Sequence, residues 1–204
     1  MDGMIDTSSR RRRPGGRPQS RIFPTAERLV YSAINYRLVL LVDALGAFVF
    51  LLLGLWAPAA SLARIAAACA GFAAWGFLEY ALHRWIGHGP PSIARRGHAE
   101  HHSDDTALVA APVFVVLIGA FVIWTLLSLV MPIAIAALLV FGAYIGYNHY
   151  ALVHHVLHHH AALASHAGLR ELERRHRVHH RQQDVNFGVT STLWDRLLGT
   201  YARG

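Results

Sequence analysis

Apolar positions along this chain gather into four long runs, and each run predicts a membrane-crossing helix. The first extends from Leu38 to Ala57, broken only by Asp43. The second runs from Leu62 to Leu82, with Arg64 near its start and Glu79 near its end; the third covers Ala107 to Met131 and the fourth Ile133 to Val153. A helix of ~20 residues rises about 30 Å, the thickness of a bilayer's hydrocarbon core, so each run is long enough to cross. The second and fourth runs carry small residues (Gly71, Ala73, Ala74, Gly76; Gly142, Ala143, Gly146) that let helices approach closely in lipid. A soluble bundle of buried helices is the alternative architecture, and the run lengths weigh against it.

The segments before the first run, between the second and third, and after the fourth are polar, whereas the connections at Trp56–Ser61 and Met131–Pro132 carry no charge. Residues 1 to about 20 are basic and rich in Pro and Gly, which predicts a disordered tail. Pro24 to Tyr36 predicts an interfacial amphipathic helix, with Leu29, Val30 and Ile34 on one side and Glu27 and Arg28 on the other. Gly87 to Thr106 forms a middle loop that opens on Gly-His-Gly-Pro-Pro and so ends the second helix; Leu169 to Gln183 predicts a further helix dense in arginine. The chain therefore divides into a tail with its interfacial helix, residues 1–36, and a membrane domain, residues 37–204.

Composition sharpens the picture. An apolar fraction of 54% with charge at 15% is unlike an ordinary soluble domain. The net charge of +7 comes from arginine, since there is no lysine, and of the 19 arginines only Arg64 falls elsewhere than before the first run, between the second and third, or after the fourth. Positive residues stay cytoplasmic, so those three segments share one side, and an even number of crossings satisfies this. The predicted fold is all-α and integral to a membrane (the cytoplasmic membrane in a bacterium): four transmembrane helices with a cytosolic histidine-rich helical cap and both termini cytosolic. Nucleic-acid binding is disfavoured, because no nucleic-acid module follows Arg10–Arg13. Cys69 is the only cysteine, which excludes a disulfide framework and a multi-thiolate metal site within one chain. The first apolar run is too long and starts too late for a signal peptide and reads as an anchor.

Candidate chemistry lies in the 15 histidines. They fall into His83-x4-His88, His98-x2-His101-His102, a run from His149 to His160, and His176-x2-His179-His180, and the predicted topology puts every group on the cytoplasmic side. Clustered imidazoles are the usual means of holding a transition metal near neutral pH. Positions i, i+3 and i+4 of a helix point the same way, so His98, His101 and His102 can converge, as can His176, His179 and His180; His154 and His158 form an i, i+4 pair. His83 and His88 diverge by about 140° on an ideal helix, and Gly87 and Gly89 offer a local turn. These ten are more ligands than one ion can coordinate, which predicts a pair of ions sharing them. His155, His159, His160 and His166 read as ordinary polar side chains, and so does His149, although His149-x4-His154 competes with His154-x3-His158.

The motifs Glu79-Tyr-Ala-Leu-His-Arg-Trp-Ile-Gly-His88, His98-Ala-Glu-His-His102, Gly146-Tyr-Asn-His-Tyr-Ala-Leu-Val-His-His-Val-Leu-His158 and His176-Arg-Val-His-His180 resemble those of the fatty acid hydroxylase / sterol desaturase superfamily of integral-membrane, non-haem di-iron oxygenases. The closing stretch from Asn186 to Tyr201 is similar to that superfamily's C-terminal signature, and the resemblance spans roughly Leu62 to Tyr201. It implies that the ten histidines bind two Fe ions, with zinc able to take their place on isolation. It also implies hydroxylation of a fatty acid or sterol type membrane lipid with O2, and electrons from a separate donor protein.

One departure stands out: relatives often carry a carboxylate three residues before the third-group histidine, where this chain has Ala151. Glu79, Glu100, Asp104, Asp105 and Asp184 are near enough in sequence to support the ligands instead. Trp194 and Asp195 read as closure of the tail onto the histidine region. Within the same chemistry, His-Arg-Trp-Ile and His149 lean towards a carotenoid hydroxylase, the Asn186–Tyr201 ending towards the fatty acid or sterol branch; a lipid desaturase is a further alternative. A metal-ion transporter or metal store is the distant one, and Asp43 is its best mid-membrane candidate.

Overall fold

Ser32 separates the first two helices, and a computed structural model, which describes residues 24–203, shows why. Helix α1 covers Pro24–Val30; the Ser32 side chain then accepts from the Asn35 amide at 3.3 Å and caps α2, Ala33–Trp56. The segment expected as one interfacial helix is thus two elements. Glu27 and Val30 of α1 are buried, Glu27 pairing with Arg96 at 2.8 Å. The predicted basic tail lies outside the described residues.

Helix α3 covers Ser61–Leu82 and continues through one wider turn, His83–Gly87. Helix α4, Ile93–Ser103, starts at Ser92, whose hydroxyl accepts from the Arg95 amide at 3.1 Å. The third apolar run supplies a shorter helix than expected, α5 over Val113–Ser128. Pro112 fixes where it begins, and Asn35 clamps the entry, donating to the Ala111 carbonyl and accepting from the Val113 amide, both at 2.9 Å. Residues 107–112 are therefore non-helical. Helix α6 covers Ile133–His159, α7 Ala161–Ala164, α8 Ala167–Arg181 and α9 Leu193–Leu197.

Among the described residues three helices are long and apolar enough to cross a membrane: Ala33–Trp56, Ser61–Gly87 and Ile133–His159. Helix α6 is central and packs on α3, α2 and α5. Its approach to α3 is backbone on backbone. A Cβ on Gly71 would run into the Leu139 carbonyl and one on Gly142 into the Ala68 carbonyl. Phe50, Ala47, Ala137, Val140 and Tyr144 form the buried core on the α2 side. The outer faces present large apolar side chains such as Leu41, Phe48, Ile118 and Leu126, as a lipid-facing surface requires. Arg64, the arginine that broke the charge pattern, reaches back across the α2–α3 turn and donates to the Ala57 carbonyl at 2.8 Å.

Candidate metal centre

His83–Gly87 forms a π turn, with the His88 amide donating to the His83 carbonyl at 3.0 Å. An i to i+5 turn stacks two residues that an α-helix would hold about 140° apart. The His83 and His88 ring centroids are accordingly 5.2 Å apart. The glycines serve this through space, not through a special backbone angle. A Cβ on Gly89 would strike the Trp85 carbonyl and one on Gly87 would lie 3.2 Å from the His98 ring; neither glycine has positive φ.

Each three-histidine motif divides between two groups. On α4, His98 and His102 face His83 and His88, while His101, about 100° round the helix from His102, faces the other way. On α8 the assignment is exchanged: His179 joins the first group, His176 and His180 the second. His83, His88, His98, His102 and His179 thus offer atoms all within 4.8 Å of one another, and so do His101, His158, His176 and His180. His154 flanks the second group, its ring centroid 4.7 Å from His101 and 4.8 Å from both His158 and His176, with Tyr150 stacked on it. The groups adjoin, since the His102 and His180 rings stack at 4.3 Å.

The first group is a closed set of inward-facing Nε2 atoms. His98 lies 3.0 Å from His83, 2.9 Å from His88 and 3.0 Å from His102; His179 lies 3.1 Å from His88 and 3.1 Å from His102. His83 donates from Nδ1 to the Phe187 carbonyl at 2.5 Å, and His179 from Nδ1 to the Val185 carbonyl at 2.8 Å. A carbonyl only accepts, so both rings carry their proton on Nδ1 and turn a lone pair inward. Nitrogens about 2.1 Å from one cation and at right angles stand about 3.0 Å apart, the spacing found here. In the second group the Nε2 atoms of His158 and His176 are 2.7 Å apart, and those of His101 and His180 are buried without a hydrogen-bond partner. Both groups could hold a transition metal.

Burial keeps these rings neutral. It lowers His98, His101, His102, His176, His179 and His180 below the ordinary imidazole range, and repulsion among the rings lowers them further. His102 and His180 fall to about 4. Neutral imidazole is the ligating form.

Two buried carboxylates hold the tail that supplies those carbonyls. Glu79 accepts from the Val189 amide at 2.6 Å, the Thr190 amide at 2.8 Å and the Thr190 hydroxyl at 2.5 Å. Asp195 accepts from the Phe187 and Gly188 amides and from the Thr200 hydroxyl, each at 2.8 Å. Of the carboxylates considered from sequence, Glu79 acts through the tail, Asp104 accepts from the Thr106 amide and hydroxyl, and Asp105 lies within electrostatic reach of His180. Sequence reading missed Phe187 and Val185, because backbone carbonyls leave no mark in the residue alphabet.

The remaining histidines stand apart from both groups. His149 is exposed, its ring 6.2 Å from Phe72. His155 shares a 2.8 Å hydrogen bond with the Tyr36 hydroxyl, and His159 and His160 cluster around it. His166 is exposed. Beside the two groups lies a cavity of about 990 Å³, reaching His83, His98, His101, His154 and His158 at one end and Ile123, Leu127, Leu139 and Val140 at the other. Ala151 lines it as well.

Comparison with known proteins bears on this geometry. The family model described as fatty acid hydroxylase matches residues 68–200. The dihydroceramide fatty acyl 2-hydroxylase of Arabidopsis thaliana is 31% identical over 140 residues, covering 64% of this chain and 58% of that protein. The fatty acid 2-hydroxylase of Rattus norvegicus is 32% identical over 144 residues, covering 64% of this chain and 38% of that protein. This chain thus spans just over half the length of the plant relative and less of the mammalian one. Among solved structures, full-length scs7p, with only its hydroxylase domain visible, superposes with a TM-score of 0.70 at 24% identity, covering 88% of this chain and 70% of that one. That likeness establishes a shared fold.

Proposed function

This chain belongs to the fatty acid hydroxylase family, and we propose on that premise that it hydroxylates an unactivated C–H bond of a membrane lipid with O2. One juxtaposition carries the reading: two adjoining imidazole groups lie against a largely apolar cavity of about 990 Å³. The relatives' own names, dihydroceramide fatty acyl 2-hydroxylase and fatty acid 2-hydroxylase, point to a fatty acyl chain as the part of the lipid that enters.

In this reading His83, His88, His98, His102 and His179 hold one iron, and His101, His154, His158, His176 and His180 hold the second. Two irons there would supply the O2 activation needed to oxidise an aliphatic carbon. One oxygen atom would enter the C–H bond and the other would leave as water, with two electrons from a separate donor protein and two protons from solvent. The chain's own residues do the rest. The apolar cavity wall takes the acyl chain and keeps water from the reacting carbon. The Phe187 and Val185 carbonyls fix the His83 and His179 rings in the ligating tautomer, and Glu79 and Asp195 fix those carbonyls.

The proposed topology has α2, α3, α5 and α6 crossing the bilayer. Helix α5, with 16 residues, rises ~24 Å, and the non-helical stretch before it makes up the remaining depth. The histidine groups, α4 and α8 then form a cytosolic cap, on the side where arginine is concentrated. In this topology residues 37–204 make up the membrane domain, and residues 1–36 lead into it as a basic tail, the short helix α1 and the first turn of α2.

Lipid profiling of a host expressing the chain tests this reading. Lipids heavier by one oxygen are expected, and they should vanish with His98→Ala. Products lighter by two hydrogens would instead identify a desaturase, and an unchanged profile would contradict both.

A further inference from the structure

Three polar side chains at the histidine end of the cavity belong to neither imidazole group. Tyr36 stands in the first turn of α2, and His155 and His159 in the last two turns of α6. All three line the cavity, and all are half-buried. His155 Nδ1 lies 2.8 Å from the Tyr36 hydroxyl, and the His159 ring is 4.6 Å from that of His155 and 6.5 Å from that of Tyr36.

Their position on α6 is one residue on from two candidate ligands. His154 and His158 form one i, i+4 pair; His155 and His159 form the next, about 100° round the helix. The first pair faces the second imidazole group and the other faces Tyr36, yet both pairs border the same space. A lipid that brings one of its carbons to the first pair therefore has neighbouring atoms beside the second.

Hydrogen-bonding capacity decides what those atoms are. A neutral imidazole and a tyrosine hydroxyl hold two protons to donate, and the bond between them uses one. One donor is left whichever way that bond runs: the Tyr36 hydroxyl when His155 donates from Nδ1, the His155 Nε2–H when the tyrosine donates. His159 adds one N–H in either tautomer. No fixed cation accompanies these donors, because among the described residues no arginine lines the cavity and the chain has no lysine. A carboxylate there would carry an unpaired charge in a largely apolar space, whereas a carbonyl oxygen has only to accept.

We propose that Tyr36, His155 and His159 form the recognition site for an uncharged acyl carbonyl at the lipid's polar end, in preference to a free carboxylate. The proposal rests on the reading that this cavity holds the lipid, whose chain then runs towards Ile123 and Leu127. A chain end without the carbonyl leaves these donors unanswered, so the site discriminates against it.

A long-chain fatty acid methyl ester, the methyl ether of equal length and the free carboxylate provide the test, each displacing a fluorescent lipid probe from the full chain in detergent. The ester should bind about tenfold more tightly than the ether. Tyr36→Phe should cut that preference to about threefold, and Tyr36→Phe combined with His155→Phe should abolish it, while the carboxylate's affinity and the metal content stay unchanged. Equal ester and ether affinities in the unsubstituted chain would overturn the proposal and leave the cavity reading standing; displacement by none of the three would overturn both. An undiminished preference in Tyr36→Phe, which keeps the ring and lies away from the candidate ligands, would overturn the assignment even where the double variant fails to fold. A carboxylate weakened as much as the ester would overturn the preference for an uncharged group.

Discussion

His83 and Phe187 are joined across 104 positions of the sequence by a 2.5 Å hydrogen bond from the ring Nδ1 to the backbone carbonyl. The bond makes the C-terminal tail part of the histidine site, because it decides which ring nitrogen keeps its proton. His179 and Val185 repeat the arrangement on the same group. A tail without a ligand of its own thereby sets the chemistry of two candidate ligands.

Removing the tail's anchor should therefore disturb metal binding from a distance. Asp195→Ala leaves the buried Phe187 amide and the half-buried Gly188 amide unpaired, at a cost of about 1–3 kcal/mol in stability. The loosened Phe187 carbonyl no longer fixes His83, and metal affinity should fall about 10- to 100-fold. Thermal unfolding and metal titration of the purified variant check both numbers; an unchanged affinity would detach the tail from the site.

The separation of grouped from solitary histidines predicts a contrast between two alanine variants. His179 stands in the first group and is fully buried, whereas His149 is exposed beside Phe72. His179→Ala should abolish turnover and lower metal content while leaving membrane insertion intact. His149→Ala should leave metal content unchanged. Equal losses in the two variants would contradict the grouping.

Gly89 offers a more local probe. A Cβ there would strike the Trp85 carbonyl, so Gly89→Ala should force the π turn open and move His88 away from His98 and His179. Metal content per chain is expected to drop while circular dichroism shows unchanged helix content. Full metal loading in this variant would mean that the π turn is not what places His88.

The buried imidazoles also set a pH dependence. His98, His101, His102, His176, His179 and His180 are all lowered by burial. As pH falls through ~6.5 an unfolded chain protonates these rings, while the folded chain resists. The unfolded state then binds more protons, and stability declines on acidification. The metal-free protein should be most stable above about pH 7 and lose stability steadily below ~6.5; metal should dissociate over the same range, because its ligands must be neutral. Thermal midpoints from about pH 8 to 5 read the effect, and a midpoint flat or rising towards acid would contradict it.

Much of this was legible in the residues. The first, second and fourth apolar runs became α2, α3 and α6 because length and hydropathy act locally along a helix. The third run did not become a full crossing helix, since Pro112 and the Asn35 clamp set the start of α5 at Val113. The ten histidines were picked out by spacing, and nine of them fall into two close groups with His154 alongside. Spacing could not show that each His-x2-His-His motif splits, because the division follows from where α4 and α8 meet. Nor could it show the π turn: an α-helical wheel assigns His83 and His88 to different faces, and only the changed hydrogen-bond register brings them together. The helix expected over Pro24–Tyr36 broke at Ser32, whose preference for capping outweighed the apolar periodicity.

Anomalous diffraction at the iron edge, from crystals of the iron-loaded protein, tests the two-ion pocket most directly. Two peaks are expected, one among His83, His88, His98, His102 and His179 and the other among His101, His154, His158, His176 and His180, each about 2.1 Å from its Nε2 atoms. A single peak, or iron bound away from these rings, would contradict the account.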